Sequence, residues 1–137
     1  RKLVAGLDDL LPGAGLANSR LKNILVGLRA EGEESRQMEA LNSLCEVLSM
    51  SSEDSLAAFS LDSFVPLLVG LLNYEHNPDM MLLAARALTH LMDVLPSSCS
   101  AVVHYEALPS FCSRLLNIEY IDLAEQSLQA LEKVIPH

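Results

Sequence analysis

Apolar residues recur along most of this chain at three- and four-residue intervals, the spacing of helices that bury one side. Within 78–95 they fall at Met81, Ala84, Ala85, Leu88, Leu91, Met92 and Leu95, with charge left on Asp79 and Asp93. Residues 1–11 put Leu3, Leu7, Leu10 and Leu11 on one side of a short helix, and Pro12-Gly13-Ala14-Gly15 ends it. From there the pattern reads as helix after helix.

The pattern also repeats. Shifting residue 21 onto 65, an offset of 44, matches Leu21 to Val65, Ile24 to Leu68, Leu25 to Val69 and Leu28 to Leu72. The same shift carries Ala40 to Ala84, Leu44 to Leu88, Val47 to Leu91 and Met50 to Val94. In a third copy, an offset of 43 takes Pro66 to Pro109 and Leu72 to Leu115. For the helix after it, an offset of 40 takes Ala84 to Ala124, Leu88 to Leu128, Leu91 to Leu131 and Val94 to Val134. This assigns the third copy a loop three residues shorter. A small residue shared at 40, 84 and 124 would let helices approach closely.

Periods of 40 to 44 residues belong to armadillo and HEAT repeats. The predicted unit has a short first helix (53–59 and 97–105), a second (19–29, 61–73 and 107–117) and a long third (33–50, 78–95 and 120–135). Three helices per unit favour armadillo over HEAT. The expected fold is therefore an all-α, armadillo/HEAT-type α-solenoid of two and a half to three repeats. Its divisions are an N-terminal helix and linker (1–17) and repeats at 18–52, 53–96 and 97–137. Border signals agree. Asn77-Pro78-Asp79 is a helix start, with a capping Asn and Pro in the first helical position. Ser51-Ser52-Glu53-Asp54 places carboxylates at another start, and Pro96 and Pro136 close long helices.

Composition narrows the class. Half of the 137 residues are hydrophobic but only 4% are aromatic, which suits packed helices and not a β domain. Net charge is -9, from 18 acidic and 9 basic residues, so nucleic acid and anionic membrane surfaces are disfavoured partners. The acidity keeps an apolar-rich chain soluble and suits basic partner segments. Cys45, Cys99 and Cys112 are odd in number and widely spaced, which fits a reducing, intracellular setting, nucleus or cytoplasm. The opening Arg1-Lys2-Leu3 suggests an excised piece of a longer protein.

Stacked repeats share one elongated core and display a rigid, preformed surface suited to binding other proteins. On the long helices, positions one turn apart and opposite the core define a partner-binding ridge: Asn42 and Glu46, Arg86 and His90, Gln126 and Ala130. They differ from copy to copy where the core scarcely changes. Any one of them also has a plain reading as a solvent-facing side chain.

No catalytic or metal constellation emerges, and no cofactor is expected. Cys45 and Cys112 fall at apolar repeat positions and read as small core residues, with Cys99 left open. A nucleophile would need His104, Cys112 and an acid to meet. His76, His90, His104 and His137 lack metal-site spacing, and Gly13 and Gly15 lack the third glycine of a nucleotide loop.

The wording of three stretches then becomes informative: GEESRQMEALNSLCEVLSM from Gly32, SFVPLLVGLLNYEHNPDMMLLAARALTHLMDVLPSSCSAVV, and YIDLAEQSLQALEKV. They resemble the armadillo-like region of a HECT-type E3 ubiquitin-protein ligase family, that of the plant KAKTUS and animal thyroid-receptor-interacting ligases. AGLDDLLP looks closest to the plant branch. The resemblance implies a parent ligase whose catalytic cysteine lies in a HECT domain outside these residues. It also implies a substrate-recruiting or scaffolding role here, and further repeats beyond the third. Armadillo proteins that import nuclear cargo carry Trp and Asn at the two ridge positions. This chain has no Trp, and none of its second ridge positions is Asn. The alternative is a structural spacer, or a module that self-associates through an open C-terminal repeat.

Overall fold

A computed structural model describes residues 14–53, 56, 60–116 and 119–134, with side chains from residue 20 onward. The described residues form seven α-helices and no strand. The chain divides into two compact units, residues 1–59 and 60–137. The predicted helices at 1–11 and 53–59, and the stop at Pro136, lie outside the described residues or largely so.

In the first unit, α1 (Ala14–Leu28) packs along α2 (Glu34–Met50). Leu21, Ile24 and Leu28 of α1 meet a stripe of Ala40, Leu41, Leu44, Val47 and Leu48, all buried. The connection turns at Gly32, whose φ of 84° favours glycine. Gln37 is buried in α2, and its Nε2 donates to the carbonyl of Leu28 at 3.2 Å. That carbonyl belongs to the last residue of α1 and has no acceptor role within its own helix, so the side chain satisfies it. The two backbones come closest at Gly27. A Cβ placed there would sit 2.8 Å from Cβ of Ala40. The small residue at position 40 therefore does allow the close approach anticipated for it.

The second unit contains α3 (Leu61–Leu72), α4 (Pro78–Val94), α5 (Ser98–His104), α6 (Ala107–Leu115) and α7 (Ile121–Val134). α4 packs on both α3 and α7, α6 packs on α7, and the short α5 touches all four. With two long neighbours, α4 buries more than one stripe: Met80, Met81, Ala84, Ala85, Ala87, Leu88, Thr89, Leu91 and Met92. Asn77 caps it as anticipated, its side chain accepting from the Met80 amide at 3.2 Å. Polar ties cross the unit. Asn73 Nδ2 donates to Ser110 Oγ at 2.7 Å, Lys133 pairs with Asp93, and the Tyr105 hydroxyl donates to Asp62 Oδ1 at 2.7 Å. Glu106, at the corner between α5 and α6, adopts a left-handed φ of 64°.

The offset of 44 holds at every buried position of α2. Gln37, Ala40, Leu41, Leu44, Val47 and Leu48 map onto Met81, Ala84, Ala85, Leu88, Leu91 and Met92, all buried. The offset of 40 does not hold for α7. Its buried residues are Leu123, Ser127 and Ala130, while Leu128 is 51% exposed and Ala124 is half-buried. An offset of 43 matches that set to Met80, Ala84 and Ala87, all buried, and it is the offset already relating α3 to α6. The loop is not shortened. Residues 29–33, 73–77 and 116–120 are five-residue connections in each pair. The small residue shared by the three copies is thus Ala40, Ala84 and Ser127, not Ala124.

Two outcomes are expected. Gly27→Val should destabilise the first unit by about 2 kcal/mol, because the obstructing atom is a Cβ fixed to the opposite backbone. Adding Ala40→Gly should recover part of that loss; chemical denaturation of the single and double variants checks both. The hydrogen bond to Asp62, with smaller contributions from burial and the carboxylate charge, raises the Tyr105 phenol above its ordinary 10.0. A group whose proton is held more tightly when folded supports the fold below the unfolded pKa and ceases to as pH rises through the folded one. In an alkaline ultraviolet titration Tyr105 should ionise after a free tyrosine would, and Asp62→Ala, which removes both the acceptor and the charge, should remove most of the lag.

Candidate protein-interaction surface

Each long helix turns one side inward, and all the ridge positions except Ala130 lie wholly or partly on what remains. In α2, Asn42 and Glu46 are exposed. Glu46 is already engaged: Arg20 Nη2 of α1 approaches its Oε1 at 2.6 Å. Both partners are well exposed, so this pair orients side chains more than it stabilises them. In α4, Arg86 is exposed and His90 half-buried. In α7, Gln126 is half-buried and Ala130 is fully buried, so Ala130 does not belong to an outward ridge. The physical reason is the register just described. With 43 in place of 40, Arg86 and His90 correspond to Gln129 and Lys133, both exposed. Lys133 reaches Asp93 on α4, so it is engaged within the unit.

The cysteines separate as well. Cys45 is half-buried, but Cys112 is exposed, contrary to its expected place in the core. In register it matches Val69, which is itself only half-buried, at the edge of the stripe and not within it. His104 lies edge-on to Tyr105, ring centroids 4.9 Å apart. Among the described residues no group of three or more His, Cys, Asp or Glu is placed to hold a metal ion.

Sequence reasoning missed Arg114. It is only 5% exposed, yet it lies in the core stripe of α6. Its Nη1 approaches Met81 Sδ at 2.8 Å, its Nη2 meets Glu75 Oε2 at 3.2 Å, and its Nε has no partner. The signal was present: at an offset of 43, Arg114 stands where Leu71 stands, an ionic side chain at an apolar repeat position. It ties α6 to the α3–α4 connection, which carries Tyr74 and His76 edge-on at 5.6 Å beside Glu75.

These helix pairs of constant connection length, with shared inward positions and divergent outward ones, are the geometry of a helical-repeat fold. Residues 13–136 match the family described as E3 ubiquitin-protein ligase TRIP12-like, TPR repeats. The chain belongs to that family. It is 68% identical over 98% of its length to E3 ubiquitin-protein ligase UPL3 of Arabidopsis thaliana, and 48% identical over 85% to UPL4 of the same plant. It is 46% identical over 88% to TRIP12 of Danio rerio. The matched stretch makes up 8%, 8% and 6% of those proteins. The resemblance read from the sequence is therefore to the right family, and the all-α repeat fold agrees with it.

The buried guanidinium yields a test. Glu75 is well exposed and survives alone, so Arg114→Leu, which restores the residue type found at Leu71, should be neutral or stabilising by about 1 kcal/mol. Arg114→Ala should cost about 2 kcal/mol through the cavity it leaves. Thermal and urea unfolding of the two variants separate a tolerated charge from one the fold requires.

Proposed function

We propose that this stretch is a protein-recruiting segment of a HECT-type ubiquitin ligase, built from armadillo-type repeats. The triple of α5, α6 and α7, a short helix before two longer ones, supports the armadillo count over a two-helix unit. The observation that carries the recruiting role is the contrast between faces. Inward positions coincide through the 44-residue shift, while outward positions read Asn42 and Glu46 in one copy and Arg86 and His90 in the next. A purely structural spacer has no need of outward positions that diverge on so regular a frame. In this reading Gln129 and Lys133 continue the series where Gln126 and Ala130 were first assigned. Ubiquitin transfer belongs to a HECT domain elsewhere in the ligase, and the chain acts inside the cell, in nucleus or cytoplasm.

A second reading, self-association, is favoured by the outer side of α7, where Leu128 is 51% exposed beside half-buried Ala124 and Leu131. Sedimentation over a concentration series tests it, and a concentration-independent monomer removes it.

The recruiting role is checked by affinity capture from cell extract with the wild-type chain and with Arg86→Glu/Glu46→Arg. The charge-reversed chain should lose a defined subset of partners; identical partner sets would sink the ridge. Incubated with ubiquitin, E1 and E2, the chain should form no thioester on Cys45, Cys99 or Cys112.

A further inference from the structure

At the beginnings of α4 and α7 the second unit has an open groove of about 290 Å³. Its lining includes the apolar side chains of Leu82, Ile121 and Leu123 and the ring of Tyr120. Tyr120 is 38% and Ile121 65% exposed, so large apolar surface is left in water there. Asp79, Glu119 and Asp122 line the same groove. Two of these carboxylates stand in first helical turns, where the helix dipole accounts for them. That does not account for Glu119, nor for the open tyrosine and isoleucine beside it.

The surrounding charge sharpens the picture. Residues 60–137 carry nine acidic and three basic side chains. Two of the three cations are already committed, Lys133 to Asp93 and Arg114 to Glu75. Among the described residues none of Asp79, Glu119 and Asp122 forms an ion pair. The groove lies at the small end of ligand pockets and accommodates one or two side chains. An aliphatic stem ending in a cation fits it best, the stem covering Leu82 and Ile121, the head among the carboxylates and against the Tyr120 ring.

We propose that this groove docks an extended protein segment bearing arginine or lysine between apolar residues. The proposal rests on reading the stretch as a protein-interaction module, but it centres the contact on the first turns of α4 and α7, one helical turn before Arg86. Charge complementarity sets both the sign and the salt dependence of binding.

The test uses the 137-residue chain, ¹⁵N-labelled, and a fluorescein-labelled decapeptide in which arginine alternates with leucine. A twin carries glutamine for every arginine. Amide shifts should concentrate at residues 78–82 and 119–123, with the twin bound at least about tenfold more weakly. Asp79→Asn/Glu119→Gln/Asp122→Asn should weaken the arginine peptide by about tenfold or more. Ile121→Ser should weaken it several-fold without changing its salt dependence. Neutralising Glu31, Glu33 and Glu34, an exposed acidic run in the other unit, should leave it unaltered. Circular dichroism verifies that each variant is folded. Shifts scattered over all acidic surfaces, equal weakening by the control triple, or equal binding of the twin would overturn the groove. Loss of the groove with an intact response to Arg86→Glu in affinity capture would overturn this site alone and leave the recruiting role standing.

Discussion

The five-residue connection between paired helices governs this structure. A helix of this kind cannot bury its own apolar stripe, so it must lie against a partner. The length of the connection then decides which residues of the two helices face each other. Residues 29–33, 73–77 and 116–120 hold that length constant in all three pairs. The buried sets follow from it, and so do the outward positions. Gly27 against Ala40 shows how little freedom remains, because one added carbon on α1 would require the helices to part.

That constraint explains what could be read from the sequence and what could not. The 44-residue shift was legible because both helices of a pair keep it, and six buried positions of α2 land on six buried positions of α4. The third copy misled because an error of three residues is close to one helical turn. Shifts of 40 and 43 therefore select neighbouring stripes, and α7 is apolar on both. Leu128 and Leu131 look like a core in sequence, yet the buried stripe of α7 is Leu123, Ser127 and Ala130. From that one slip came the misplaced Ala130 and the supposed shorter loop. The helix borders were legible where chemistry marks them, as at Asn77 and Pro78. A general preference for buried cysteine failed for Cys112, which lies at the margin of its stripe.

Polar groups inside the units were harder to anticipate because repeat matching treats them as exceptions. Gln37 stands at the place of Met81, and Arg114 at the place of Leu71. Each reaches a group at the end of a helix or in a connection: the Leu28 carbonyl in one case, Glu75 in the other. Asn73 with Ser110 and Tyr105 with Asp62 likewise each involve a side chain at or just beyond the end of an element, Asn73 after α3 and Tyr105 after α5. Apolar stripes set which faces meet; these side chains fix how far along each helix its neighbour sits, which a nonpolar interface specifies poorly.

The distribution of charge follows from the same division of labour. Inward positions are closed to ionic groups except where a partner is at hand, as for Arg114. Charge therefore collects outside, and in the second unit most of it is negative. With Lys133 and Arg114 paired, Arg86 is the one cation among the described residues of that unit without an ion pair. A single positive position on a negative surface is a strong local contrast, and it lies on the helix that packs against both α3 and α7. In the proposed recruiting role, a partner would meet a field that draws basic segments from a distance, then a point at Arg86 that such segments would avoid or an acidic side chain would meet. Attraction by the bulk of a surface and discrimination at one position are separate tasks, and under that proposal they would fall to residues of opposite sign.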